Sequence, residues 1–398
     1  MQNVFRLPVH SQQDMGHPST EEEALAAARD FASRIGVSTS SGYVQALPYR
    51  ELEWIARAGL LGVGVPAEFG GPDLANASLA EIVAITAEVN PLIGESLKSH
   101  FTVLETLRVE GAPAQQKFFF AGALAGEHFC GVSLTQASGR TSTVPQATLS
   151  INRSGCSLTG ELRSLLPLFS DWIAVTTVDP QGTAHMALVH RDTEEVAFKH
   201  VAADAEQLRH EAPAIVFEDV HIAADSILRV PERGKPSTPS ILSMLLDSAI
   251  DLGIARAILR HLTARQRLEW IEPAGDRQND DDLDVLNALG RLAASIEGLG
   301  AMVERAGLHL DIAQIDATEE AVSKAWLSAT SANILSSEIV RDSIANILDL
   351  QGPTSLSAIA YGRAENRHAS HRHRAGHRHI LGRHLIAAST SGTNAHIN

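Results

Sequence analysis

The chain has 398 residues, with 32 Lys+Arg against 47 Asp+Glu and a formal net charge of −15. At roughly 100–200 residues per domain, this length predicts two or three domains, and a hydrophobic fraction of 44% excludes wholesale disorder. The acidic balance, with no long basic block, argues against binding nucleic acid through its phosphates. Cys130 and Cys156 are too few for a disulfide scaffold or a multi-cysteine metal site.

The opening stretch, MQNVFRLPVHSQQDMGHPST, lacks the apolar segment and cleavage site of a signal peptide. No run of about 18 apolar residues follows, so a cytoplasmic protein that does not span a membrane is expected. Residues 19–126 read as helical. Ser19 with Glu22 forms a capping-box pattern ahead of EEEALAAARDFASRIG, and Leu47 to Leu60 carries apolar residues at helical spacing. LLGVGVPAEFGGP holds six Gly and Pro residues and predicts a tight loop, with Gly64, Gly70 and Gly71 as turn residues. Leu74 to Val109 resumes a long helical pattern, kinked or split at Pro91, and Pro113 to Ala125 predicts a further helix with its proline in the first turn.

From His128 to about Val230 the texture becomes alternating and β-branched, as in ATLSINRSGCSLTG, DWIAVTTVDP, AHMALVHRD and APAIVFEDVHI. DPQG and NRSG punctuate these runs, and VPERGKPSTP reads as a linker. Ile241 to Trp270, Leu283 to Ile312 and Thr318 to Leu350 then predict three long helices, with a polar break at Asp276 to Asp282 and a capping box of Asp316 and Glu319. Domain boundaries are therefore expected at 1–126, 127–232 and 233–398.

This helical–β–helical order resembles that of the acyl-CoA dehydrogenase superfamily, and five local strings agree with it: WIARAGLLGVGVPAEFGGP, HFCGVSLTQASG, LTGELRSLLPLFSDWIAV, IVFEDVHIAADSIL and RQRLEWI. The resemblance implies an α+β multidomain fold: an N-terminal helical domain, a central β-barrel domain and a C-terminal four-helix bundle. It also implies tetramers, with flavin between the β domain and the bundle. Ser133, Thr135 and Ser138 fall where flavin-contacting hydroxyls belong, Ser164 where a further hydroxyl meets the ring, and Trp172 is either a ring platform or core. Arg265 and Arg267 resemble the position that meets a phosphate of a neighbouring subunit's cofactor, or else they form a solvated helix end.

Acyl-CoA dehydrogenases need a carboxylate base, yet no Asp or Glu follows Glu365. The tail instead resembles that of flavin-dependent monooxygenases similar to dibenzothiophene monooxygenase and the sulfur-acquisition oxidoreductases. In that register Arg363 meets the first motif arginine, and His368 and His371 meet two histidines at H-x-x-H spacing. His100 resembles a substrate-side histidine. Imidazole can give or take a proton near neutral pH, which suits oxygen chemistry on reduced flavin. The resemblance therefore implies a two-component monooxygenase. It would take FMN reduced by a separate flavin reductase, and O₂, and act on a small hydrophobic substrate, sulfur- or nitrogen-containing.

Two alternatives stay open. One is an FAD-dependent acyl-CoA dehydrogenase with Asp247 or Asp251 as base. The other is a non-catalytic homologue without flavin, motivated by Gln136 in place of the motif carboxylate, Leu162 in place of its Lys, and Leu165-Leu166-Pro167 in place of T-G-A. The seven histidines after residue 366 (among them His373, His377 and His379) come without cysteine or carboxylate, which favours no physiological metal site. Asp280, Asp281 and Asp282 read as a polar loop and helix start. No Rossmann fingerprint is present, so direct NAD(P)H binding is not expected.

Overall fold

A computed structural model of the chain describes residues 16–38, 48–133, 148–152, 155–179, 183–199, 212–230, 236–271 and 279–351. Five helices come first: α1 (Glu21–Ser38), α2 (Tyr49–Arg57), α3 (Asn76–Val89), α4 (Pro91–Glu110) and α5 (Pro113–Leu124). The long helical pattern splits at Asn90, whose side chain accepts from the Leu92 amide, with Pro91 in the first turn where its missing N–H leaves no bond unmade. The α1 cap lies one residue beyond the expected one. Thr20 accepts from the Glu23 amide, while the Glu23 carboxylate takes the amide and hydroxyl of Ser19. The Gly/Pro-rich loop folds as two short 3₁₀ turns, Gly62–Gly64 and Ala67–Phe69.

The β region holds β1 (Phe129–Ser133), β2 (Thr148–Asn152), β3 (Gly155–Arg163), β4 (Trp172–Val178), β5 (Ala184–His190), β6 (Val196–Lys199), β7 (Ala214–Ile222) and β8 (Ile227–Arg229). Among the described residues the expected central barrel is not formed. The strands make two open four-stranded sheets, ordered β1-β4-β5-β8 and β2-β3-β7-β6. They pack face to face through Cys130, Ile173, Val175 and Val189 from the first and Leu158, Ile215, Phe217 and Ile222 from the second. Closure would require β1 to pair on its outer edge. That edge is covered by α4, and β2, β6 and β8 at the other margins are only five, four and three residues long. Alternation of period two is common to sandwiches and barrels, so the pattern alone does not separate them.

Three long helices follow: α6 (Thr238–Ile271), α7 (Asn279–Ile315) and α8 (Glu319–Gln351). They pack on one another, and the fourth position beside α6 and α7 is taken by α3 from the N-terminal part. The expected fourth C-terminal helix has no counterpart among the described residues. Helix α3 is buried on nearly every side, from Leu79, Ile82 and Val83 to Thr86, as a helix enclosed by others must be. α8 is capped by Thr318, whose hydroxyl accepts from the Ala321 amide, rather than by Asp316. No helix among the described residues is long and apolar enough to cross a membrane.

Close approach of α3 to α6 depends on Gly253. A Cβ there would lie 2.3 Å from the Ala84 carbonyl oxygen and 2.9 Å from the Ala87 Cβ. In an open helix Gly→Ala is favourable by about 1 kcal/mol, but here two helix backbones would have to separate. Gly253→Ala is expected to destabilise by about 1–3 kcal/mol in urea unfolding; a stability gain would show that α3 and α6 are not so closely seated.

Candidate functional site

Helix α4 meets β1 through side chains that end on backbone. The Phe129 amide donates to His100 Nδ1 at 3.1 Å, and His100 Nε2 lies 2.8 Å from the Leu61 carbonyl, to which it donates. These partners fix the ring as the neutral Nε2–H tautomer. The ring is fully buried, and burial, aided by His128, pushes its pKa down to about 3 against the Leu61 bond. Beside it the Ser99 hydroxyl accepts from the Gly131 amide at 2.8 Å. Outward-facing amides alternate along a strand, so after Phe129 and Gly131 the next on this edge is Ser133.

His128, which sequence reasoning did not single out, stacks on His100 at 5.5 Å. Its Nδ1 lies 3.0 Å from the Phe169 carbonyl and its Nε2 3.2 Å from that of Ser96, while its amide donates to Asp171. Burial pushes its pKa down, opposed by the two carbonyls and Asp171. The neighbouring Cys130 thiol is pushed up to about 12 by burial and stays protonated.

Trp172 pairs in register with Phe129, at the far end of β1 from Ser133 and about 13 Å away along the strand. Its Nε1 donates to Glu127 at 2.8 Å, its face lies parallel to Phe129, and Phe119 and His190 meet it edge-on. Ser164 follows β3, half-buried, its amide donating to the Pro213 carbonyl. Arg267 is exposed near the C-terminal end of α6, and Arg265 lies two residues earlier on the same helix. Thr135, Ser138, Arg363, His368 and His371 lie outside the described residues. Among the expected site residues, then, His100 and Ser133 share one edge of β1, and Trp172 stands apart from Ser133.

The two alternative bases are both engaged. Asp247 on α6 accepts from Lys98 of α4 at 2.9 Å, a half-buried ion pair across the seam that nothing in either helix's local pattern signals. Asp251 is 1% exposed and accepts from the Ser336 hydroxyl at 2.8 Å.

Residues 245–360 match the family Acyl-CoA dehydrogenase, C-terminal domain. No curated relative is matched by sequence. Solved structures match over nearly the whole chain. FMN-bound TdsC from Paenibacillus sp. A11-2 aligns with TM-score 0.77 at 19% identity, covering 92% of this chain and 97% of TdsC. Methanesulfinate monooxygenase MsuC from Pseudomonas fluorescens gives 0.72 at 17%, covering 90% and 95%. Nitrososynthase from Micromonospora carbonacea var. africana gives 0.67 at 18%, covering 89% and 93%. The fold is that of the acyl-CoA dehydrogenase superfamily.

Because the folded state holds His100 neutral well below its ordinary range, its contribution to stability is complete above about pH 6.5 and is lost as pH falls toward about 3. Between pH 7.5 and 5 the wild type is expected to lose about 2 kcal/mol through this group. His100→Gln, less stable at neutral pH, should lose correspondingly less over the same interval. Equal losses in urea unfolding at the two pH values would remove His100 as the source.

Proposed function

We propose that this protein is a two-component, FMN-dependent monooxygenase that takes FMN reduced by a separate flavin reductase. The observation that carries the reading is the likeness over nine-tenths of the chain to FMN-bound TdsC, joined to a tail in which histidines stand and no carboxylate follows Glu365. The described residues fit a flat, hydrogen-bonding ring. The outer edge of β1 is closed by α4 at Phe129 and Gly131 and is followed by Ser133, whose backbone groups face the same side. Ser133, with Thr135 and Ser138, would hold the ring edge, and Arg265, Arg267 and Arg363 would meet the phosphate. Ser164 stands at the β3 end of this region.

When bound, reduced FMN supplies the electrons that activate O₂ for transfer of one oxygen atom to substrate. His368 and His371 supply and accept the proton, since imidazole does both near neutral pH. His100 acts by holding β1 and His128 in place, because both of its nitrogens already bond to backbone. The substrate class is small and hydrophobic, with sulfur or nitrogen. Among the structures of similar fold are a dibenzothiophene monooxygenase, its indole complex, a methanesulfinate monooxygenase and a nitrososynthase. The acyl-CoA dehydrogenase reading is not favoured, because Asp247 is held by Lys98 and Asp251 is enclosed with Ser336.

Self-association fits the outer face of α7, which exposes Leu286, Leu308, Ile312 and Ile315, a stripe that a second copy would bury on the way to a tetramer. The reading places the protein in the cytoplasm, where reductase and reduced flavin are at hand.

The test is a titration with FMN and FAD, oxidised and anaerobically reduced, followed by turnover with a flavin reductase and indole, dibenzothiophene or methanesulfinate as probes. Reduced FMN is expected to bind in preference to FAD. His371→Ala is expected to lower product formation by about 100-fold or more while leaving FMN affinity unchanged. Absence of binding to either flavin would overturn the proposal, and unchanged turnover in the variant would remove His371 from it.

A further inference from the structure

The seam between α7 and α8 carries a group of polar side chains that the flavin chemistry does not use. Arg305 and His309 stand one turn apart on α7, and Lys324 and Ser328 one turn apart on α8, so each pair shares a helix face. The two faces meet where His309 Nδ1 lies 2.6 Å from the Ser328 hydroxyl. Ser328 is buried, and Nδ1 is the one acceptor its hydrogen finds among the described residues. The hydroxyl therefore donates to Nδ1, which places the ring hydrogen on Nε2 and leaves that N–H free to donate. Burial, then Lys324 and Arg305, push the His309 pKa down, so both cations stand close to the ring.

These cations are not neutralised. In a chain of net charge −15, half-buried cations of the helical layer pair with carboxylates, as Lys98 does with Asp247, Arg108 with Asp73 and Arg256 with Glu81. Arg305 and Lys324 form no ion pair among the described residues, although Glu304 and Glu320 lie on the same helices. The Nε of Arg305 is moreover buried and completes no hydrogen bond among the described residues. Folding strips such an atom of solvent, and it is rarely left so. We propose that this seam is a binding site for a phosphate group, held by the Arg305 guanidinium and the Lys324 ammonium with His309 Nε2–H as a further donor. A guanidinium meets two oxygens of a tetrahedral anion at once, and an ammonium adds a point charge to a third. Two fixed cations suit a dianion better than a single carboxylate, and they repel a metal ion. Ser328 is a positioning residue: by giving its proton to Nδ1 it keeps the donating nitrogen of His309 on the free side of the ring.

The test is a calorimetric titration of the protein with inorganic phosphate at fixed ionic strength, alone and after saturation with FMN. Saturable binding that persists in the presence of FMN is expected. Arg305→Gln and Lys324→Gln are each expected to weaken it by about 10-fold, the worth of one charged hydrogen bond, and Ser328→Ala to weaken it less. Absence of saturable binding to the wild type would overturn the proposal, since phosphate then acts only as an excluded salt. Binding equal to wild type in both charge variants, or abolished by FMN, would place the anion elsewhere and overturn it too. Sedimentation velocity on the same variants gives a separate check. If Arg305→Gln separates an assembly into smaller units, a carboxylate of a second copy fills the seam and the proposal fails. Lys324 is exposed, so Lys324→Gln decides the matter should Arg305→Gln not fold.

Discussion

The structure turns on a helix lying against the open edge of a strand. β1 pairs with β4 on one side only, and on the other its amides at Phe129 and Gly131 are taken by His100 and Ser99 of α4. An uncovered edge would invite another strand; a helix whose side chains satisfy the amides prevents that. The same contact keeps the first sheet from closing and joins the helical and β regions through one core, since Phe129, Ala174, Met186 and Leu188 on the outer face of the sheet pack with the helices.

Charge is handled by pairing between layers. In a chain of net charge −15, α3 and α6 are tied by Arg256 to Glu81 at 2.8 Å and by Arg260 to Glu88 at 3.2 Å, and α4 and α6 by Lys98 to Asp247. Such partly exposed pairs contribute little to stability individually, about 1 kcal/mol or less. They matter here for register: the glycines at 94, 253 and 307 let the helices approach so closely that a rotation of either would separate the pairs.

The helices were legible because proline and glycine mark their ends: Pro91, Pro113 and the LLGVGVPAEFGGP loop divide the first half of the chain almost where the structure does. Cap residues were displaced by one position at Thr20 and by two at Thr318, since neighbouring Ser, Thr and Asp offer similar oxygens and only backbone geometry chooses among them. The barrel expectation came from the family resemblance, and the strands themselves could not have corrected it. Period-two alternation reports which face of a strand is buried and says nothing about whether the edges meet. His100 was correctly placed on its helix, but its role depends on Leu61 and Phe129, residues 39 and 29 positions away. His128 opens the string HFCGVSLTQASG, but nothing in the pattern marked it as more than the start of a strand.

Every fastening that His100 and His128 make through their ring nitrogens ends on a peptide group: the amide of Phe129, the carbonyl of Leu61 and, from the single N–H of a neutral His128, the carbonyl of either Phe169 or Ser96. Peptide groups are carried by all residue types, proline alone lacking the amide. The seam therefore places its hydrogen-bonding demand for chemical identity on two imidazoles, while Leu61, Phe129 and Phe169 opposite are held to type only by their packing in the core. A joint of this kind lets a lineage exchange most of its sequence while the helix stays seated on the strand, in keeping with a shared architecture at 17–19% identity.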